Sequence, residues 1–247
     1  MLHDEGRQPL VEGDIVVLTA GKSAVATAAA AIAKHKFGAK VVSVVRRKDR
    51  SDEEWAKVKE EMREDFGVDL ILEEEKVKRT PPRKLKEDIK RVGKGDVKLC
   101  LDAVGGKVGS MLALCLTEGV GTHVTYGGLS REAVTVRAGT AIFSDIVFKG
   151  FWLTKWMERN LAARGTVMDM RPMMIRELLE MTRNGTLKLP ETKLFHLSDF
   201  EGAIEEVGKG FKVAFDCRED EEEKEEEEEK EEEEKEEEEK EEDAKKS

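Results

Sequence analysis

The sequence has little cysteine, no long apolar run and no dense basic stripe, and each shortage removes a class of protein. Cys100, Cys115 and Cys217 form an odd, sparse set without paired spacing. They make neither a disulfide framework nor a zinc knuckle, and they fit a reducing compartment. No metal site is expected. No apolar run approaches the ~20 residues that cross a bilayer, so no membrane partner is expected. The opening Met1-Leu-His-Asp-Glu-Gly6 reads as neither a signal peptide nor an Arg/Ser-rich transit peptide.

Charge is present in quantity but unevenly placed. The 247 residues carry a net −11, yet Glu219 to Ser247 alone carry −15, from 21 acidic and 6 basic residues. Residues 1–218 are therefore mildly basic, with 37 basic against 33 acidic side chains. That balance suits phosphate-bearing small molecules better than a nucleic-acid groove, and nucleic acid is not an expected partner. The tail repeats blocks of glutamate broken by Lys224, Lys230, Lys235 and Lys240, with no apolar residue before Ala244. It has nothing with which to build a core, and a disordered acidic tail with transient Glu–Lys helix is expected.

Along the rest of the chain, strand and helix patterns alternate. Ile15 to Leu18 is a continuous apolar run, as for a strand buried on both faces. An Ala-rich helix follows from Ala24 to Phe37, stopped by Gly38. Val41 to Val45 reads as a second strand, Asp52 to Phe66 as an amphipathic helix, and Val68 to Leu72 as a third strand. Glu73 to Pro82 reads as a charged loop and Arg83 to Val92 as a short helix. Strands are expected over Val97–Val104, His123–Tyr126 and, last in the chain, Ile146–Phe151. Helices are expected from Gly105-Gly106 to Leu116 and from Met173 to Asn184. Parallel strands need crossover helices, so the alternation implies an α/β domain with a doubly wound parallel sheet. The expected organisation is an N-terminal lead at 1–13, a Rossmann domain at 14–186, a C-terminal return segment at 187–217 and the Glu/Lys tail at 218–247.

Four motifs carry candidate chemistry. Gly21, Ser23 and Ala26 occupy the places of a G-x-G-x-x-G/A turn, where pyrophosphate sits on a helix N-terminus; an ordinary strand-to-helix turn reads the same way. Arg46-Arg47-Lys48 stands where an NAD site carries an acid for the ribose hydroxyls. Three cations there attract a 2′-phosphate, which selects NADP; the plainer alternative is a solvated charge cluster. In Thr125-Tyr-Gly-Gly128, paired glycines let a flat ring approach the backbone, or serve a turn with positive φ. Phe151 and Trp152, on a strand end, either wall a pocket or pack in a core.

In this order and spacing, Ala20-Gly-Lys-Ser-Ala-Val25, Val44-Val-Arg-Arg47, Val104-Gly-Gly-Lys107, Thr125-Tyr-Gly-Gly128 and Gly150-Phe-Trp-Leu-Thr154 resemble the mitochondrial 2-enoyl thioester reductases of the medium-chain dehydrogenase/reductase superfamily. The resemblance covers roughly residues 8–217. It implies NADPH-dependent reduction of the trans-2 double bond of acyl thioesters of CoA or acyl-carrier protein, in mitochondrial fatty-acid synthesis, with a homodimer as a possible assembly. Matched by position, it assigns the pyrophosphate turn to Ser23, Ala24, Val25 and Ala26. The 2′-phosphate falls to Arg46, Arg47 and Lys48. The nicotinamide side falls to Tyr126, Gly127, Gly128 and Leu129 and to Phe151, Trp152 and Leu153, with Lys212 as a further cofactor contact. Many members have glycine where Ala24 and Ala26 stand. The resemblance further implies an N-terminal GroES-like domain bearing a catalytic tyrosine. That domain is expected to be missing here, because Tyr126 is the only tyrosine and matches the cofactor loop, so no catalytic residue is assigned. Two alternatives keep the fold: an inactive Rossmann binding module whose acidic tail holds basic partners, and a quinone reductase-like oxidoreductase.

Overall fold

The computed structural model describes residues 8–162, 170–189, 192–209 and 212–217. The acidic tail lies outside them. The chain divides into two compact units, Met1–Leu189 and Pro190–Ser247.

In the first unit, six strands form one sheet: β1 (Ile15–Leu18), β2 (Lys40–Val45), β3 (Leu70–Glu73), β4 (Val97–Asp102), β5 (Thr122–Thr125) and β6 (Val147–Gly150). Their order is β3-β2-β1-β4-β5-β6 and every pairing is parallel. This is the expected doubly wound sheet. The continuous apolar runs resolve into two faces, because successive side chains on a strand point to opposite sides. Ile15, Val17, Val42 and Val44 enter one core, Val16, Leu18, Val41 and Val45 the other.

The helices divide between those cores. α1 (Ala24–Phe37) and α2 (Asp52–Phe66) cover the second face with Ala26, Ala30, Ala33, Trp55, Val58 and Met62. α3 (Glu74–Arg79), α4 (Pro82–Lys90) and α5 (Gly106–Ala113) cover the first with Val77, Leu85, Ile89, Val108 and Leu112. Gly38 ends α1 in the left-handed region, at φ 61°, and its N–H returns to the carbonyls of Ala33 and Lys34. α2 opens with a reciprocal pair: Ser51 accepts from the Glu54 N–H, and the Ser51 N–H donates to the Glu54 carboxylate.

Three expectations need correction. The charged stretch after β3 is a helix, α3, and not a loop. Its one buried apolar residue, Val77, gives no readable stripe, while Lys78 pairs with Glu74 and Glu75 along its surface. Three helices were not expected: α6 (Ala138–Phe143) and α7 (Leu153–Ala162), ahead of α8 (Met170–Arg183), and α9 (Phe200–Lys209) after it. Finally, β6 is not the last strand. The second unit is a small βαβ arrangement: β7 (Thr192–His196), α9 (Phe200–Lys209) and β8 (Lys212–Asp216), with β7 parallel to β8. Among the described residues no helix is long and apolar enough to cross a membrane.

Candidate cofactor site

In a sheet of this order the strand sequence switches sides between β1 and β4, and the carboxyl ends of all six parallel strands share one edge. Ligands of doubly wound sheets lie beyond that edge. Four expected groups fall there: Ser23 to Ala26 after β1, Arg46 to Lys48 after β2, Tyr126 to Leu129 after β5, and Phe151 to Leu153 after β6.

The turn after β1 is shaped by close approach. A Cβ on Gly21 would lie 2.9 Å from the Ser43 Cβ and from a Val45 methyl, so only glycine lets the turn pass over β2. Ala20 takes a positive φ of 50°. Ser23 caps α1, its hydroxyl accepting from the Ala26 N–H at 3.3 Å. The first turn of α1 holds no acid, and Val25 is 60 % exposed. The helix therefore presents an uncompensated positive end at the strand edge.

The loop after β5 sits against the loop after β4. The N–H groups of Tyr126, Leu129 and Ser130 donate to the carbonyls of Asp102, Ala103 and Val104 at 2.9, 3.0 and 2.9 Å. Gly127 is glycine for this contact: a Cβ there would meet the Ala103 oxygen at 2.9 Å. Neither Gly127 nor Gly128 has positive φ, so the turn alternative does not hold. The Ser23 hydroxyl lies near the Tyr126 phenol and favours its charged form, so the β5 loop and the β1 turn stand side by side. Burial pushes the phenol up, with the Asp102 carboxylate adding to it.

Asp102, Thr19 and His123 lie beneath these loops, fully buried, and motif reading did not single them out. The only signal was a polar residue inside an apolar strand run. Asp102 Oδ1 accepts from the Thr19 hydroxyl at 2.8 Å and from the N–H groups of Val104 and Gly105 at 2.9 and 3.0 Å. Thr19 Oγ1 in turn accepts from the Ala103 N–H at 2.7 Å. The carboxylate thus fixes the backbone on which the Tyr126 loop rests. Its other oxygen faces His123 Nε2 at 3.6 Å, and neither atom has a hydrogen-bond partner among the described residues. Burial lowers the His123 pKa, opposed by the Asp102 charge.

The cation cluster is not bare. Arg47 pairs with Asp52 and, at 3.7 Å, with Glu73; Arg46 lies 3.6 Å from Glu74. Lys48 is exposed and takes a positive φ of 54°. A hollow of about 430 Å³ opens beside Arg47, bordered by Asp52, Trp55, Glu73 and Lys76. Phe151 and Trp152 are 38 % and 64 % exposed, so neither is core. The Phe151 ring tilts against Trp156, and Lys155 lies over Trp152. Lys212 begins β8 in the C-terminal unit and is exposed.

A parallel sheet whose strand sequence switches sides at β1/β4, with a glycine-shaped turn and an open helix end there, defines the class: a doubly wound α/β domain of the dehydrogenase type. Residues 24–168 match the model of the zinc-binding dehydrogenases, and the chain belongs to that family. It is 31 % identical over 211 residues to the mitochondrial enoyl-[acyl-carrier-protein] reductase of Dictyostelium discoideum, covering 84 % of this chain and 55 % of that one. To the Schizosaccharomyces pombe protein of the same name it is 32 % identical over 212 residues, covering 81 % and 52 %. The chain spans about half the length of the curated relatives it matches. Among solved structures, a mutant enoyl thioester reductase from Candida tropicalis superposes with a TM-score of 0.67 at 25 % identity, over 85 % of this chain and 56 % of that one. An Etr1p complex with NADP and crotonyl-CoA gives the same figures. A Pseudomonas syringae quinone oxidoreductase shares the fold, with a TM-score of 0.57 at 19 % identity over 84 % and 58 % of the two chains. Among the described residues no group of three or more His, Cys, Asp or Glu could hold a metal ion. The described residues do not fit a zinc ion.

Proposed function

We propose that this chain binds NADPH and serves the reduction of 2-enoyl thioesters, of CoA or acyl-carrier protein, as the hydride-donating half of the reaction. The observation that carries the reading is the cation cluster Arg46-Arg47-Lys48 at the end of β2, where an NAD site wants an acid. Relatives named enoyl-[acyl-carrier-protein] reductases, and a solved complex with NADP and crotonyl-CoA, support it. NADPH, when bound, supplies the hydride. The chain's residues hold and orient it. The open end of α1 at Ser23 to Ala26 receives the pyrophosphate, and the cations take the 2′-phosphate. The Gly127-Gly128 backbone lets the nicotinamide lie close to the β5 loop. Phe151, Trp152 and Leu153 cover its outer side. Reduction also needs a proton donor at the substrate, and none is assigned among these residues. A 2-enoyl thioester and a second copy of the chain are the expected partners, and the mitochondrion is the expected location.

The test is a fluorescence titration with NADPH and NADH. NADPH should bind more tightly. Arg46→Ala and Arg47→Ala should each weaken NADPH by about 1–3 kcal/mol, the worth of a charge-assisted hydrogen bond, and leave NADH nearly unchanged. Equal losses for both cofactors would refute the assignment. Assays with crotonyl-CoA beside a quinone separate this reading from a quinone reductase.

A further inference from the structure

The cations of the proposed 2′-phosphate site have counter-ions that come from elsewhere in the chain. Parallel pairing sets Val44 beside Leu72 and Val45 beside Glu73. Continuing that register past the strand ends carries Arg46 and Arg47 to the junction of β3 and α3, where Glu73 and Glu74 stand. The two acids are fixed. Their side chains are only 14 % and 8 % exposed, and lysines on α3 hold them at hydrogen-bond distance: Lys76 to Glu73 and Lys78 to Glu74, both at 2.8 Å. The arginines are their longer partners, at 3.7 and 3.6 Å, and are more open, at 31 % and 55 %. At that separation the attraction is Coulombic and no hydrogen bond is made. A second acid, Asp52 at the start of α2, takes Arg47 from the solvent side and is 88 % exposed.

We propose that Glu73 and Glu74 are specificity-determining residues for the cofactor, which set the preference for NADPH over NADH by competing with the 2′-phosphate for Arg46 and Arg47. The inference rests on the reading of that cluster as the phosphate site. Each guanidinium faces, beyond hydrogen-bond distance, a largely buried acid that has its own lysine, and Arg47 also holds the exposed Asp52. Each can therefore turn to a phosphate without leaving a buried carboxylate unpaired. The counter-ions reduce the site's positive field when empty and lower its affinity for the phosphate. NADH, which lacks the phosphate, does not enter this competition.

The experiment measures the Kd of NADPH and of NADH at low ionic strength for the wild-type chain, Glu73→Gln, Glu74→Gln, Arg47→Ala and the double variant Arg47→Ala/Glu73→Gln, with melting temperatures alongside. Glu73→Gln and Glu74→Gln should each tighten NADPH by about two- to five-fold, the range of an exposed or half-exposed ion pair, with NADH unchanged. In the Arg47→Ala background the Glu73→Gln gain should vanish. Should Glu73→Gln lower the melting temperature, Glu74→Gln makes the same test through Arg46. Unchanged or weaker NADPH binding by both Glu73→Gln and Glu74→Gln, on folded protein, would overturn the competition while leaving the phosphate site standing. Normal NADPH binding by both Arg46→Ala and Arg47→Ala would overturn the phosphate site and this inference together.

Discussion

His123 is buried within β5 with a carboxylate beside it, and this has a measurable consequence. Burial holds its pKa below the usual histidine value, against the pull of Asp102. An unfolded chain takes up a proton at about pH 6.5, where the native histidine does not. Stability should therefore be fully present above that pH and fall as pH drops through the unfolded value towards the folded one. Urea unfolding at pH 7.5 and 5.5 should show the loss, and His123→Gln should flatten it. An unaltered slope in that variant would remove His123 as the cause. The cysteines differ by the same reasoning. Burial raises the Cys100 thiol well above its ordinary range and pushes Cys115 up to about 12, while Cys217 is exposed. Thiolate is the reactive form. Iodoacetamide at pH 8 should label one cysteine in the native chain, Cys217, and all three in urea; mass spectrometry of the labelled peptides decides.

At the scale of single elements, helix propensity and packing can disagree, and α5 is where they do. Alanine is the better helix former by about 1 kcal/mol. Yet a Cβ on Gly109 would lie 2.1 Å from Asp102 Oδ2. The carboxylate is locked by three donors and has nowhere to go. Gly109→Ala should thus destabilise by about 1–3 kcal/mol, the cost of overpacking, in denaturant unfolding. A neutral or stabilising result would mean that α5 shifts freely. Most elements were legible. β1, α1 and α2 match their expected bounds, because continuous apolar runs, alanine spacing and Gly38 or Ser51 mark them locally. α3 was not, because a six-residue helix with one buried side chain has no periodicity to read. β7 and β8 were missed for a related reason: Leu194 and Phe215 are exposed, so their strands carry no run of core residues.

For the molecule as a whole, charge is divided between a mildly basic body and a strongly acidic tail. A segment with no apolar residue before Ala244 has almost nothing to bury. Deleting residues 219–247 should leave the melting temperature nearly unchanged, raise the isoelectric point and reduce solubility. A fall of many degrees would show that the tail docks on the body. The sequence by itself determined the doubly wound class, because its strand and helix signals alternate and each is set by neighbours a few residues apart. It also determined the candidate turn, cation cluster and glycine pair, because each is a short contiguous motif. The tertiary structure alone decided which strands lie side by side, and so which distant residues meet. Arg46 faces Glu74 through the register of β2 on β3, and Asp102 faces His123 and Thr19 where β4 separates β5 from β1. Tyr126 reaches Ser23 only because the loops after β5 and β1 open on one edge. Such contacts depend on strand order and register, which no local pattern encodes.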